Sequence, residues 1–420
     1  MRRSARLLLT AILLIGAALR LWGLTFGLPH PGTRPGEIAL VSTLTALINY
    51  GVNPSALLIV LRVVSATAGV ATIWLVYRLT ERFFDRLTAI TAAFFVAISF
   101  LHVRDSHFGD ADVAMTALIV AAVLALLSAI DDPTDWRRWA LGAALAGLAA
   151  SAKYYGAGPG PGIVSGREWV YHLRFSLWYG LGAPLLVAGL GGVALIAATS
   201  WKKAVMILPF PILCFAFVGR GHSVGTITPV VPFFCMTAAV LLVRIVQRFV
   251  KPASTPRLVA LVAVVFALPS MARDLAFDVL IRRTDTRVLA QEWIATHVAA
   301  DDSIGQIPPV LIYPDFGIAK PPHLVTFDIK RKAFVSAEGA TISPEWMLVP
   351  TSPLTAYTVS PDQLATIGNR DYVRDTSITA THGPEMSGWF DQRDLFFMPF
   401  NTFTMRDRPG PEIQIFRRRH

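Results

Sequence analysis

Charge is scarce in this 420-residue sequence: Asp, Glu, Lys and Arg make up 16% of it, against 54% for hydrophobic residues. Soluble domains carry about 25% charged residues, so an ordinary water-soluble chain is excluded, and a mean hydropathy of +0.52 agrees. Cysteine is scarcer still. Cys214 and Cys235 are the two present and both fall inside apolar runs, which excludes a disulfide framework and gives no sign of thiol chemistry. There is no GxxxxGK stretch, so no phosphate-cradling loop is expected. Acid is outnumbered by base, 28 to 38, for a net charge of +10. That surplus lies mostly between apolar runs, where it reports membrane orientation and contact with anionic lipid rather than nucleic acid binding.

What is abundant is apolar sequence in lengths near the roughly 20 residues that cross a bilayer. Spans are predicted near 7–25, 55–79, 87–103, 113–130, 138–152, 182–199, 204–219, 226–245 and 257–273, nine in all. Arg2, Arg3 and Arg6 precede the first, which puts the N-terminus in the cytoplasm by the positive-inside rule. Alternation then makes Arg78–Arg86, Trp136–Arg138, Trp201–Lys203 and Arg244–Arg257 cytoplasmic, and each is basic. The first span has a long apolar stretch and no small-residue cleavage site before Trp22, so it reads as a retained anchor.

Past about residue 275 the apolar runs give way to mixed polar sequence. Apolar residues at Val288, Leu289, Trp293, Ile294 and Val298 have a helical period, and short strand-like runs follow at 310–313, 323–327, 347–350 and 412–416. The expected organisation is a membrane domain over 1–275 and a small α/β domain over 276–420, extracytoplasmic by parity. Between them in character is the Gly- and Pro-dense stretch 156–166, a flexible connector that cannot sustain a helix.

The outward-facing loops hold most of the residues capable of chemistry. The first carries Arg34 and Glu37, followed by an interfacial helix pattern over 38–50. The second, Val103–Asp112, packs Arg104, Asp105, His107, Asp110 and Asp112 into ten residues, far more charge than a turn needs. The third opens with Lys153 and Tyr154 and continues into the aromatic, basic run 168–179 with His172 and Arg174. Taken singly, Lys153 reads as a snorkelling side chain and the aromatic run as an interface anchor. Together, carboxylates, cations and His at one membrane face suit transfer of a sugar from a lipid phosphate. An acceptor hydroxyl needs a carboxylate base, and the departing phosphate needs cations. The carboxylates could also bridge a divalent ion, though no spacing specifies one.

In order, Leu19-Arg20-Leu21-Trp22, Arg34-Pro35-Gly36-Glu37, Ser106-His107-Phe108 through Asp112, Lys153-Tyr154 with Gly156, and Tyr171-His172-Leu173 before Tyr179-Gly180 resemble the GT-C membrane glycosyltransferases. The subgroup is the dolichyl-phosphate-mannose protein mannosyltransferase type, which includes the aminoarabinose lipid A transferases. The resemblance covers roughly residues 5–275, and many bacterial members also have a C-terminal extracytoplasmic domain. It implies a polytopic α-helical protein of the bacterial inner membrane and a polyprenyl-phosphate sugar donor. The acceptor hydroxyl would belong to lipid, protein or glycan, and reaction inverts the anomeric carbon. The family's loop-one acid pair falls on Gly36 and Glu37, so Gly36 stands where the base is expected. Glu37 and Asp112 are then the catalytic candidates, with Arg34, His107, Lys153, Tyr154, His172 and Arg174 as substrate contacts. Gly36, and a connector where two further spans are usual, keep a second reading open: a non-catalytic protein of the same fold that binds lipid or glycan. A transporter is disfavoured because Arg62 is the main charge at mid-span.

Overall fold

The computed structural model describes residues 2–28, 34–48, 53–154, 168–217, 224–306, 324–328, 331, 333–335, 339–354, 371–382, 390–391 and 394–419. Its contacts divide the chain into two units. One comprises Met1–Leu24 and Ala39–Asp278, the other Thr25–Ile38 and Val279–His420. The connector at 156–166 and the strand-like run at 310–313 lie outside the described residues.

The first unit is helical, and its helices begin where capping chemistry allows. Asn53 accepts from the amide of Ser55 (2.9 Å) and Pro54 opens α3 (Pro54–Phe83), a residue suited to a first turn that has no amide partner to lose. Asp85 accepts from Thr88 N at 3.0 Å to start α4 (Arg86–Ala97), and Asp110 accepts from Asp112 N at 3.2 Å to start α6 (Ala111–Asp131). Before these stands α1 (Arg2–Leu21), and α2 (Pro35–Ile48) belongs to the second unit through Ile38. Between α4 and α6, α5 (Phe100–Ser106) turns away from α4 by 55°. Then come α7 (Trp136–Tyr154), α8 (Glu168–Tyr171), a π-helical turn over His172–Leu177, α9 (Trp178–Leu181) and α10 (Ala183–Thr199), with a 114° bend at Gly182. Next are α11 (Trp201–Ile207), α12 (Pro209–Phe217), a 3₁₀ turn over Val224–Val230, α13 (Val231–Phe249) and α14 (Thr255–Ile281). Small residues let α10 lie close against α13: Thr237 donates its hydroxyl to Gly189 O at 2.9 Å, and a Cβ on Gly189 would meet the Phe234 ring at 2.6 Å.

Leu7, Leu8, Leu14 and Ile15 of α1, Val60, Val63 and Val64 of α3, and Leu261, Val264, Val265 and Leu268 of α14 are exposed. Such rows are a liability in water and a lipid face in a bilayer. Among the described residues, five helices are long and apolar enough to cross a membrane, or seven if each of the two bent pairs is one span. The nine expected spans differ from this at two places. Over the fifth, α7 is a helix but carries Arg137 and Arg138 in its first turn. The seventh is two short helices, α11 and α12, because Pro209 and Pro211 withdraw backbone donors in its middle.

The second unit is an α/β fold. Its helix α15 (Thr286–His297) is capped by Asp285, which accepts from Arg287 N at 2.9 Å. The strands are β1 (Ile304–Gln306), β2 (Leu324–Asp328), β3 (Ala333–Val335), β4 (Trp346–Thr351), β5 (Tyr372–Ile378) and β6 (Glu412–Arg418), in the order β3-β2-β1-β4-β6-β5. β1 pairs in parallel with β2 and β4, and the outer pairings are antiparallel. The expected strand runs at 323–327, 347–350 and 412–416 fall on β2, β4 and β6. On one side of the sheet, Ile304, Trp346, Leu348, Phe390, Leu395, Phe397, Ile413 and Ile415 form the core, and Ile38 of the first loop packs against it.

Candidate functional site

In the first unit the acidic loop Val103–Asp112 is not a solvated turn. Residues 101 to 109 are buried, and the last of α5 is in this stretch. Arg104 donates to Asp105 Oδ1 at 3.0 Å with both side chains enclosed, and Thr228 donates its hydroxyl to Asp105 Oδ2 at 2.6 Å. The Arg104 guanidinium also stands 5.4 Å over the Phe108 ring. Asp110 is spent on capping, whereas Asp112 sits in the first turn of α6, half-buried, where the amide dipoles favour negative charge. A Cβ built on Gly225 would lie 2.1 Å from Asp112 Oδ2 and 3.7 Å from Asp105 Oδ2. Two carboxylates therefore reach the same glycine of the 3₁₀ turn, one enclosed and one half-buried. This arrangement suits a proton acceptor beside a fixed charge.

A second polar cluster lies beside it. Arg20, fully buried, donates to Gly16 O, Ala97 O and Val96 O at 3.0, 2.9 and 2.9 Å, and to His102 Nδ1 at 3.0 Å. Because Arg only donates, His102 accepts at Nδ1 and carries its proton on Nε2. His107 is buried with Nδ1 2.9 Å from Val103 O and Nε2 3.1 Å from Trp22 O, and Asp278 Oδ1 is 3.5 Å from Nε2. Its ring nitrogens thus face main-chain oxygens. Arg62 is buried and donates to Leu24 O at 2.8 Å. Asp274 is fully buried on α14, one turn before Asp278.

The remaining candidates in this unit are placed as follows. Lys153 and Tyr154 are the last residues of α7; their side chains lie outside the described residues. His172 is buried, its Nδ1 3.1 Å from the Ser176 hydroxyl, and Arg174 is exposed on the π-helical turn.

Arg34 and Glu37 belong to the second unit. Arg34 caps α2 through its carbonyl, which accepts from Ile38 N at 3.1 Å, and its guanidinium is 4.0 Å from the Asp391 carboxylate with both groups buried. Glu37 is completely enclosed. Among the described residues, no three His, Cys, Asp or Glu side chains gather as a metal-binding group.

Sequence reading named Asp105 and Arg20 without giving either a role, and it did not name Asp274 or Asp278. Asp105 is one of five ionisable residues in its loop, and its distinguishing partner, Thr228, is 123 residues away. Asp274 and Asp278 lie at the end of an apolar run, where the signal is the charge itself.

Comparison with known proteins gives a family match and several structural likenesses. Residues 55–201 match the family described as dolichyl-phosphate-mannose-protein mannosyltransferase. No curated protein matches the chain in sequence. Among solved structures, the chain is similar to the ArnT protein of Cupriavidus metallidurans bound to undecaprenyl phosphate. That likeness has 11% identity and a TM-score of 0.45, covering 98% of this chain and 97% of that one. It is also similar to the oligosaccharyltransferase of Archaeoglobus fulgidus tethered with an acceptor peptide, with 13% identity and a TM-score of 0.45, covering 72% of this chain. The match spans 61% of the archaeal protein's length. The likeness to that mannosyltransferase family is thus carried by residues 55–201, in a chain whose described residues include five helices long and apolar enough to cross a membrane.

Proposed function

We propose that this chain transfers a sugar from a polyprenyl-phosphate donor to an acceptor hydroxyl at the extracytoplasmic face of a bacterial inner membrane. In this reading the N-terminus is cytoplasmic, residues 1–275 form the transferase domain, and residues 276–420 form an extracytoplasmic α/β domain. The observation that carries the reading is the carboxylate pair Asp105 and Asp112 at Gly225. Asp105 lies inside the family match and is held by Arg104 and Thr228, while Asp112 is half-buried. Asp112 takes the proton of the acceptor hydroxyl as the acceptor oxygen bonds to the anomeric carbon. The bond from that carbon to the phosphate oxygen breaks, its electron pair leaving on the polyprenyl phosphate. Arg174, which is exposed, and Lys153 supply positive charge for the leaving phosphate. Glu37, in the second unit, is the alternative base, and the acceptor class is a lipid, protein or glycan hydroxyl.

A second reading is a non-catalytic GT-C protein that binds a lipid or glycan. It is favoured by the complete enclosure of Glu37 and by Gly36 in the place of an acid. The test is release of undecaprenyl phosphate from a panel of undecaprenyl-phosphate-linked sugars by the full chain in liposomes. Turnover that drops about 100-fold or more in Asp112→Asn supports the transferase, since removing a general base costs on that order. Absence of turnover across the panel by the unaltered chain, with undecaprenyl phosphate still bound, supports the second reading.

A further inference from the structure

The first loop is built into the core of the C-terminal unit, and two of the contacts described between them fall on Asp391 and Phe396. Phe396 lies against Phe26 with ring centroids 4.5 Å apart. Asp391 faces the Arg34 guanidinium at 4.0 Å, with side-chain exposures of 2% and 6%. Ile38 packs on the cluster that contains Phe390 and Phe397. The three loop residues flank Glu37: Phe26 lies eleven residues before it, Arg34 three before and Ile38 one after.

The backbone next to Phe396 is itself strained. Phe397 has φ 57°, a left-handed conformation that a bulky side chain avoids, and it is fully buried. Its neighbours over-determine it. Phe396 N donates to Asp394 Oδ1 at 2.9 Å, and Gly410 N donates to Phe396 O at 3.2 Å. Strain of this kind costs about 1–3 kcal/mol and persists where the surrounding structure fixes a geometry. An enclosed aromatic, an enclosed carboxylate and a strained backbone all bear on one segment, the segment that carries a candidate acid.

We propose that Phe390, Asp391 and the residues 394–397 are a clamp that fixes the Arg34–Glu37 segment for the reaction, with Asp391 and Phe396 as positioning residues. The inference rests on the transferase reading with Glu37 as its base, and gives the second unit a role in it: that unit then holds the acid. It assigns Arg34 to the clamp, as the partner of Asp391. Asp391→Asn keeps the shape and removes the charge, and Phe396→Leu keeps apolar bulk and removes the ring contact.

Two measurements on the full chain test this. The first is hydrogen exchange at the amides of 36–38, with those of β5 as an internal control for folding of the same unit. Both variants are expected to speed exchange at 36–38 by about tenfold while β5 is unchanged, as local opening is favoured without global unfolding. The second is transfer from the undecaprenyl-phosphate-sugar panel. Asp391→Asn is expected to lower kcat by about tenfold or more with KM for the donor unaltered, because misplacement of a reacting group acts on the transition state alone. Asp391→Glu is expected to restore most of the loss. Unchanged exchange at 36–38 in both variants overturns the clamp, as does a change shared equally by β5. Faster exchange at 36–38 alone, in a chain that turns over none of the panel, supports the clamp and rejects the transferase reading on which its role rests.

Discussion

Gly225→Ala separates position from stability at the carboxylate pair. Gly225 lies in the 3₁₀ turn Val224–Val230 and is buried, and an added Cβ would stand 2.1 Å from Asp112 Oδ2. Ordinary contact begins at 3.4 Å, so the carboxylate must retreat by the difference, 1.3 Å. The atom in the way is the end of a side chain that is half open to solvent, so the retreat is a change of rotamer, costing about 0.5–1.5 kcal/mol. Asp105 Oδ2, at 3.7 Å, keeps ordinary contact. The fold should therefore survive, whereas a misplacement of about 1 Å at a reacting group costs about 100-fold in rate, or roughly 2.7 kcal/mol of barrier. The assay is kcat for release of undecaprenyl phosphate, set beside thermal unfolding in detergent. A kcat within about threefold of the unaltered chain, from a variant that unfolds at the same temperature, refutes the assignment of Asp112 as a base that must be precisely placed. Loss of the folded state would show instead that the methyl meets a rigid neighbour.

Four further outcomes follow from the packing. Asp105→Asn breaks an enclosed Arg104–Asp105 pair and should cost about 3 kcal/mol or more, read by unfolding of the purified chain, whereas Thr228→Val should cost about 1–3 kcal/mol. Gly410→Ala should destabilise the C-terminal unit by about 3 kcal/mol, because φ is +99° there and a Cβ would crowd Asp285 Oδ1 and the Thr286 hydroxyl at the cap of α15; protease sensitivity near 280–300 reads this. Burial pushes the Tyr372 phenol above its ordinary 10, and its hydroxyl donates to Pro344 O at 2.7 Å. The folded state favours the neutral form, so this stabilisation is complete below pH 10 and is lost as pH rises from there through the folded value. Tyr372→Phe should flatten that alkaline loss in a near-ultraviolet dichroism titration.

Membrane character and helix positions were legible because apolar run length is a one-dimensional property. The bends were harder to read. Val103–Asp112 has the composition of an exposed loop, yet α5 ends inside it and its charges are enclosed, because Asp105 is neutralised by Arg104 and a hydroxyl from the distant 3₁₀ turn. The same blindness applied to mid-span charge. Arg62 stood out alone in the sequence, but Arg20, His102 and Asp274 are equally enclosed, Arg20 by three main-chain carbonyls that no spacing reveals. Arg34 and Glu37 stand out as a pair in sequence, but the contacts of Arg34 with Asp391 and of Phe26 with Phe396 involve residues more than 350 positions away, beyond any local pattern.

Gly36 remains the position at which the two functional readings make opposite forecasts. It lies in the first turn of α2, in helical conformation and half-buried, whereas Glu37 beside it is fully enclosed. Nothing in the backbone there calls for glycine, and in a helix glycine costs about 0.5–1 kcal/mol relative to alanine. An aspartate in a first helical turn gains about 0.3–1 kcal/mol from the amide dipoles. Gly36→Asp is therefore expected to fold and to be slightly more stable than the unaltered chain, so its activity can be read without a stability correction. If the chain is a working transferase with Asp112 as base, a new acid at 36 should change kcat by no more than about threefold, since the proton already has an acceptor. If the chain has lost catalysis with the acid at 36, the variant should release undecaprenyl phosphate where the unaltered chain releases none. Recovery of turnover in Gly36→Asp that persists in Gly36→Asp combined with Asp112→Asn would remove Asp112 from the mechanism and make the loop held by Asp391 and Phe396 the seat of the reaction.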